Sequence, residues 1–374
     1  FTTSCTLRRC KDFFQQFTKK AKLVSHIFLM IKDFEVGTKR INSVSHKLYI
    51  KTSTSWDFLD EISDDLKSII SQYSKNKTLK FLIDEKHPEF LKGSLSPENK
   101  ILGERIKLLP EGTQIARAGF SIFAKNLRFN NDPNHQWDVC YENTSGLKTY
   151  LYSEDKIHLE QEKKFKLVQK FSENYKNIIS NVENNLETIQ YLALYTLLKT
   201  FIRVGNYHYF LKNSHKGLTT LLKRDISIDG GMVLFDFIGK DGVPHQITKE
   251  FQEDYVKHLK KILSSRKAGD FVFTGINRKP LHSEDFSSIF FNITQEHFYP
   301  HIIRSHHADS KCLDYLEGKI KIQDPEKLFL QIAKDLGHKK YNKKKEQWEI
   351  SPNITIKSYI YPEYVKKIRA GKQT

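Results

Sequence analysis

This 374-residue sequence has little of what most proteins use to hold metals, disulfides or nucleotide phosphates. Its four cysteines, Cys5, Cys10, Cys140 and Cys312, are scattered, with no Cys-x-x-Cys pair. That spacing supports neither a zinc site nor a disulfide framework and fits a reducing compartment. A Gly-rich phosphate loop is missing, as is a convincing carboxylate cluster, so no cofactor and no metal are expected. Long apolar runs are missing too. Near the N-terminus the longest unbroken one is Ile27–Ile31, far too short to span a bilayer. Arg8 and Arg9 precede no signal-peptide core, so secretion is not expected. Negative charge is scarce: 44 acidic residues face 61 lysines and arginines, a net charge of +17. A polyanion, nucleic acid first, is the expected partner, with no membrane involvement.

The length suggests two domains with room for a sizeable core. Residues 10–33 predict a helix through Phe13, Phe14, Phe17, Leu23 and Ile27. Residues 57–74 predict an amphipathic one, with Phe58, Leu59, Ile62, Leu66, Ile69 and Ile70 on one side. Its acidic pairs, Asp60/Glu61 and Asp64/Asp65, read as a solvated face rather than metal ligands. Residues 105–155 alternate and are rich in β-formers, with turns at Asn130–Asn134 and Asn143–Gly146 and basic residues Arg117, Lys125, Arg128 and Lys148. From about Glu160 the pattern turns helical, first through Phe165, Val168, Phe171, Tyr175 and Ile178, then over Ile189–Phe201. A hairpin region at 224–248 follows, then mostly helices. Lys339–Lys345 form a lysine cluster with no helical apolar period, read either as a basic linker or as a solvated loop.

Five short blocks carry the candidate chemistry. Phe201-Ile202-Arg203-Val204-Gly205-Asn206 reads, taken alone, as a helix end with Gly205 as the left-handed cap. Gly217-Leu218-Thr219-Thr220-Leu221 follows it. Phe235 to Gly242 is an apolar strand entering a Gly-Lys-Asp-Gly turn, which places Lys240 at a hairpin tip. Pro300 to Ala308 holds Arg304, after a helix capped by Ser283. Its histidines, His301, His306 and His307, lack a carboxylate or cysteine in the block to complete a metal site. Leu336-Gly337-His338 and Thr355 to Pro362, with Tyr359, complete the set. A tyrosine is a poor nucleophile at neutral pH, since its pKa is about 10. It attacks phosphorus only where cations neutralise the non-bridging oxygens and an acid protonates the leaving oxygen. Two arginines, a lysine, a histidine and a late tyrosine answer those needs.

In this order the blocks resemble the type IB DNA topoisomerases, over roughly residues 135–370. The resemblance implies Tyr359 as nucleophile, Arg203, Arg304 and His338 as the phosphoryl clamp, and Lys240 as the acid for the 5′-oxygen. Ser305 stands where the family has threonine, and His306 and His307 depart from its usual residues. The implied fold is α+β: a β-containing N-terminal domain and a mainly α-helical catalytic domain with a small β-hairpin sheet, closing on DNA as a clamp. Residues 1–80 are then an unassigned, partly helical extension, 81–158 a β-rich DNA-binding domain and 159–374 the catalytic domain. The implied activity is relaxation of supercoiled duplex DNA by a monomer, through a 3′-phosphotyrosyl intermediate, inside the cell and on DNA. Two alternatives remain open. A tyrosine recombinase also accommodates His301-x-x-Arg304 and Leu336-Gly337-His338, and an inactive DNA-binding scaffold could keep the same residues.

Overall fold

The structure, a computed structural model, describes residues 34–371 apart from 131, 133 and 134. The helix expected over 10–33 lies outside the described residues. The chain divides into two compact units after Gln161.

Two sheets build the first unit. Strands β1 (Lys39–Ile41), β2 (Leu48–Lys51), β3 (Trp56–Asp60), β4 (Ser94–Leu95) and β5 (Ile101–Leu102) form an antiparallel sheet in the order β3-β2-β1-β4-β5. Strands β6 (Lys125–Phe129), β7 (Val139–Glu142) and β8 (Lys148–Leu151) form a second antiparallel sheet. Ile41, Ile70, Tyr73, Leu82, Phe120 and Val139 belong to one buried cluster. The division expected at residue 80 therefore runs through a single sheet and a single core.

The helix expected over 57–74 is shorter. Trp56–Asp60 is strand β3, and helix α1 spans Asp64–Lys75. Ser63 ends the extended segment, its hydroxyl accepting from the Leu66 N–H as the N-cap. Phe58 and Leu59 are consequently exposed, while Ile69 and Ile70 reach the core. Over 105–124 the alternation gives only isolated bridges, Ile106 with Phe120, Leu108 with Gln114 and Ile115 with Ser153.

Helix α2 (Glu154–Glu183) supplies residues to both units. In the second unit, α3 (Ile189–Thr200) buries Leu192, Leu194, Leu197 and Leu198, each worth about 1.5–3 kcal/mol when fully buried. It is apolar all round because α2, a sheet and two further helices cover it. After α4 (Tyr207–Asn213) comes an antiparallel sheet, β9 (Ile226–Asp229), β10 (Met232–Ile238) and β11 (Pro244–Glu250), in the order β11-β10-β9. Helices α5 (Glu253–Ser264), α6 (Ser283–Thr294), α7 (Ile302–Leu316) and α8 (Pro325–Asp335) follow. Helix α6 is capped at His282, one residue before the expected Ser283, and the Asp285 carboxylate accepts from the His282 N–H at 2.7 Å.

The lysine cluster is neither linker nor plain loop. It forms a hairpin of β12 (Lys339–Asn342) and β13 (Gln347–Ile350), with Tyr341 opposite Trp348. Short helices α9 (Asn353–Ser358) and α10 (Pro362–Arg369) end the described chain. Among the described residues no helix is long and apolar enough to cross a membrane.

Candidate active site

Arg203 lies beyond the end of α3, outside any helix or strand. The cap is Phe201, itself left-handed at φ 57°, rather than Gly205. Gly205 serves a different purpose. The two glycine blocks pack backbone to backbone, with Leu218 N–H donating to Arg203 O at 2.8 Å and Thr219 N–H to Val204 O at 2.7 Å. A Cβ on Gly217 would lie 2.5 Å from Gly205 Cα and 2.6 Å from Arg203 O. That close approach fixes the backbone from which Arg203 projects.

The Arg203 Nη2 donates to Tyr359 Oη at 3.0 Å, across 156 residues of sequence. Tyr359 closes helix α9 and is 3% exposed. Tyr361 is not on the same helix. It precedes α10, its ring lies 5.1 Å from Phe165, and its N–H donates to Asp309 Oδ1 at 2.8 Å. The two tyrosines thus face different surroundings.

Arg304 projects from the first turn of α7 and is buried. Its guanidinium donates to Phe201 O, to Leu336 O at 2.9 Å and to His338 Nε2 at 2.9 Å, and lies 5.3 Å from the Tyr359 ring centre. Burial brings it down to about 10, so it stays charged at neutral pH. Because a guanidinium only donates, His338 Nε2 accepts there, and Nδ1 carries the proton towards Thr355 Oγ1 at 2.7 Å. Burial first, then Arg304 and Arg203, hold His338 down at about 3 and keep the ring neutral.

Lys240 occupies the turn between β10 and β11 and is exposed. The turn is closed by Gly239 N–H donating to Val243 O at 2.7 Å, with Asp241 left-handed at φ 61°. Arg203, Lys240, Arg304 and His338 line one cleft of about 480 Å³. Tyr359 meets it through the Arg203 hydrogen bond. All five candidate residues therefore gather around one cleft of the second unit.

Three further residues belong to this place. His301, the N-cap of α7, lies with Nε2 2.9 Å from Tyr359 Oη. Its signal was the His301-x-x-Arg304 spacing, one helical turn. His245 lines the cleft, stacks on Phe237 at 5.0 Å and is held down at about 4 by burial, then by Lys339, Arg304 and Arg203. Lys164 donates to Ser358 O and holds its ammonium 5.3 Å from the Tyr359 ring centre. Nothing in its local sequence distinguishes it. The other histidines of the Arg304 block have separate partners: His306 packs on Tyr175 at 4.4 Å, and His307 Nε2 meets Asp335 at 2.9 Å.

Residues 153–351 match the family described as eukaryotic DNA topoisomerase I, catalytic core. The chain belongs to the type IB DNA topoisomerases. Among its relatives in that family, DNA topoisomerase 1 of Rabbit fibroma virus (strain Kasza) is 24% identical over 174 residues, covering 40% of this chain and 55% of that protein. DNA topoisomerase I of Monkeypox virus is 24% identical over 146 residues, 37% of this chain and 46% of that protein. DNA topoisomerase 1B of Acanthamoeba polyphaga mimivirus is 26% identical over 144 residues, 36% and 43%. The chain thus spans about half the length of these topoisomerases.

Proposed function

We propose that this chain relaxes supercoiled duplex DNA by transient cleavage of one strand, working as a monomer without ATP or a metal ion. The observation that carries the reading is the Tyr359 hydroxyl held 3.0 Å from Arg203 beside a cleft that Arg304, His338 and Lys240 also line. In this reading the Tyr359 oxygen attacks a backbone phosphorus. The bond from phosphorus to the 5′-oxygen breaks, leaving a 3′-phosphotyrosyl link and a 5′-hydroxyl. Arg203 and Arg304 neutralise the two non-bridging oxygens, the charge stabilisation a metal would otherwise supply. His338 donates its Nδ1–H to the Thr355 hydroxyl, so it donates to phosphate through Nε2 only as an imidazolium. A phosphate's negative charge favours that form. Lys240, on a turn exposed to the cleft, protonates the leaving 5′-oxygen.

The covalent link keeps the energy of the broken bond, so attack by the 5′-hydroxyl reseals the strand after it has rotated. Closure of both units on the duplex as a clamp belongs to the same proposal, as does action inside the cell on DNA. The test is relaxation of negatively supercoiled plasmid in EDTA without ATP, beside Tyr359→Phe. Relaxation by the native chain alone supports the reading. Relaxation by both proteins moves the nucleophile elsewhere. Binding without relaxation by the native chain turns the reading towards strand exchange between paired sites or an inactive scaffold.

A further inference from the structure

We infer that His301 is the general base for Tyr359, its Nε2 taking the phenol proton as the tyrosine oxygen attacks phosphorus and returning it on resealing. This rests on the strand-cleavage reading above. The argument is a count of protons. A guanidinium has donors only, so Arg203 at 3.0 Å occupies a lone pair of the Tyr359 oxygen. The hydroxyl's own proton then needs an acceptor, and His301 Nε2 stands 2.9 Å away. A ring donating there instead would leave that proton unpartnered on a side chain that is 3% exposed, a costly arrangement. Nε2 therefore presents its lone pair to the hydroxyl at proton-transfer distance.

The charges around His301 explain when the transfer occurs. Burial comes first, then Arg304 on its own helix, Arg203, Lys164 and Lys240, and together they hold the ring down at about 3. The neutral His338 and Tyr359 itself also lie beside it. So weak a base takes the proton of a phenol, whose ordinary pKa is about 10, only at a steep cost. A phosphodiester bound between Arg203, Arg304 and Lys240 brings negative charge among those same cations and offsets their push on the imidazole. The base strengthens when the phosphate arrives. In the forward step the Tyr359 O–H bond breaks and its proton goes to Nε2. The oxygen–phosphorus bond forms, the bond to the 5′-oxygen breaks, and Lys240 supplies that oxygen's proton.

Two measurements test this. Nitrogen NMR of the native chain at neutral pH should show His301 uncharged with Nε2 unprotonated, and an Nε2–H overturns the inference whatever the activity. Single-turnover cleavage of a short duplex, native against His301→Gln, should then slow by about 10²–10⁴-fold. DNA affinity should stay within about twofold, because the glutamine amide can still hydrogen-bond the tyrosine but cannot take its proton. The variant's rate should climb with pH as hydroxide takes over, where the native rate levels off. Replacing the leaving 5′-oxygen by sulfur, a better leaving group, should rescue Lys240→Ala but not His301→Gln. Parallel pH profiles, or rescue of His301→Gln by sulfur, overturn the base role. A native chain with the stated tautomer that forms no covalent complex with DNA overturns the cleavage reading, and the base role falls with it.

Discussion

Arg304 and Lys240 bring the same charge to the same cleft from opposite kinds of structure. Arg304 is buried on a helix and spends its donors on two backbone carbonyls and a histidine. Lys240 stands exposed on a hairpin turn and lines the cleft from there. The difference matches what each is proposed to do. A group that must sit at a fixed distance from a phosphoryl oxygen gains from being locked by packing. A group that must reach a leaving oxygen and hand over a proton gains from a mobile stem.

The contrast should break most severely at Arg304. Arg304→Ala strands the carbonyls of Phe201 and Leu336 and the Nε2 of His338, so unfolding in urea should show a loss of about 3 kcal/mol together with abolished DNA cleavage. Arg304→Lys should recover little, since one ammonium cannot serve three divergent acceptors. Native stability in that lysine variant would dissolve the distinction. Lys240→Ala should slow cleavage by about 10²–10⁴-fold. Its unfolding free energy should stay within about 0.5 kcal/mol of the native value, as for an exposed surface change.

Acid sharpens the comparison on the buried side. His245, His301 and His338 are held down at about 4, about 3 and about 3, below the ordinary histidine value. Between those values and about 6.5 the unfolded chain binds more protons, so stability should fall as pH drops through that window. Asp309 opposes them. Burial raises it to about 7, so between its ordinary value and that point the folded chain holds the extra proton, and stability falls as pH rises. With His306 also held down at about 4 and His307 lowered by burial, the histidines outweigh Asp309 and should leave net acid destabilisation, seen as a falling unfolding temperature, and Asp309→Asn should steepen it.

Smaller effects should come from the second layer. Thr355→Val removes the partner of His338 Nδ1, and about 1 kcal/mol of stability should go with a modest loss of cleavage rate. The least should come from the hairpin tip. Serines at Lys343 and Lys344 should leave stability untouched and reduce the steepness of DNA affinity against salt by about one per lysine at most.

Much of the second unit was legible in the sequence. The 232–250 hairpin and the apolar helix from Ile189 carry strong periodicity. The five candidate residues sit in blocks whose order is distinctive; four of them line one cleft, and Tyr359 is hydrogen-bonded to one of the four. What escaped had weak or competing local signals. Trp56-Asp-Phe-Leu-Asp is only five residues, and its apolar positions also fit a helical stripe continuing to Ile62. Lysine richness hid a strand pair held together by Tyr341 and Trp348, whose rings lie 5.4 Å apart. Lys164 and His245 reach the site by tertiary packing alone, which no local pattern encodes.

The backbone contact between Gly205 and Gly217 makes two distant positions behave as one letter of the sequence. Gly217 cannot acquire even a methyl group while Gly205 stays where it is, since that carbon would lie 2.5 Å from Gly205 Cα, and Gly205 itself holds φ 100°, where a side chain is strained. In any descendant of this chain the pair must therefore persist together or be lost together with a displaced loop, and that loop carries the arginine touching the tyrosine hydroxyl. The two glycines would record, in a sequence alone, whether that arginine still stands at its post.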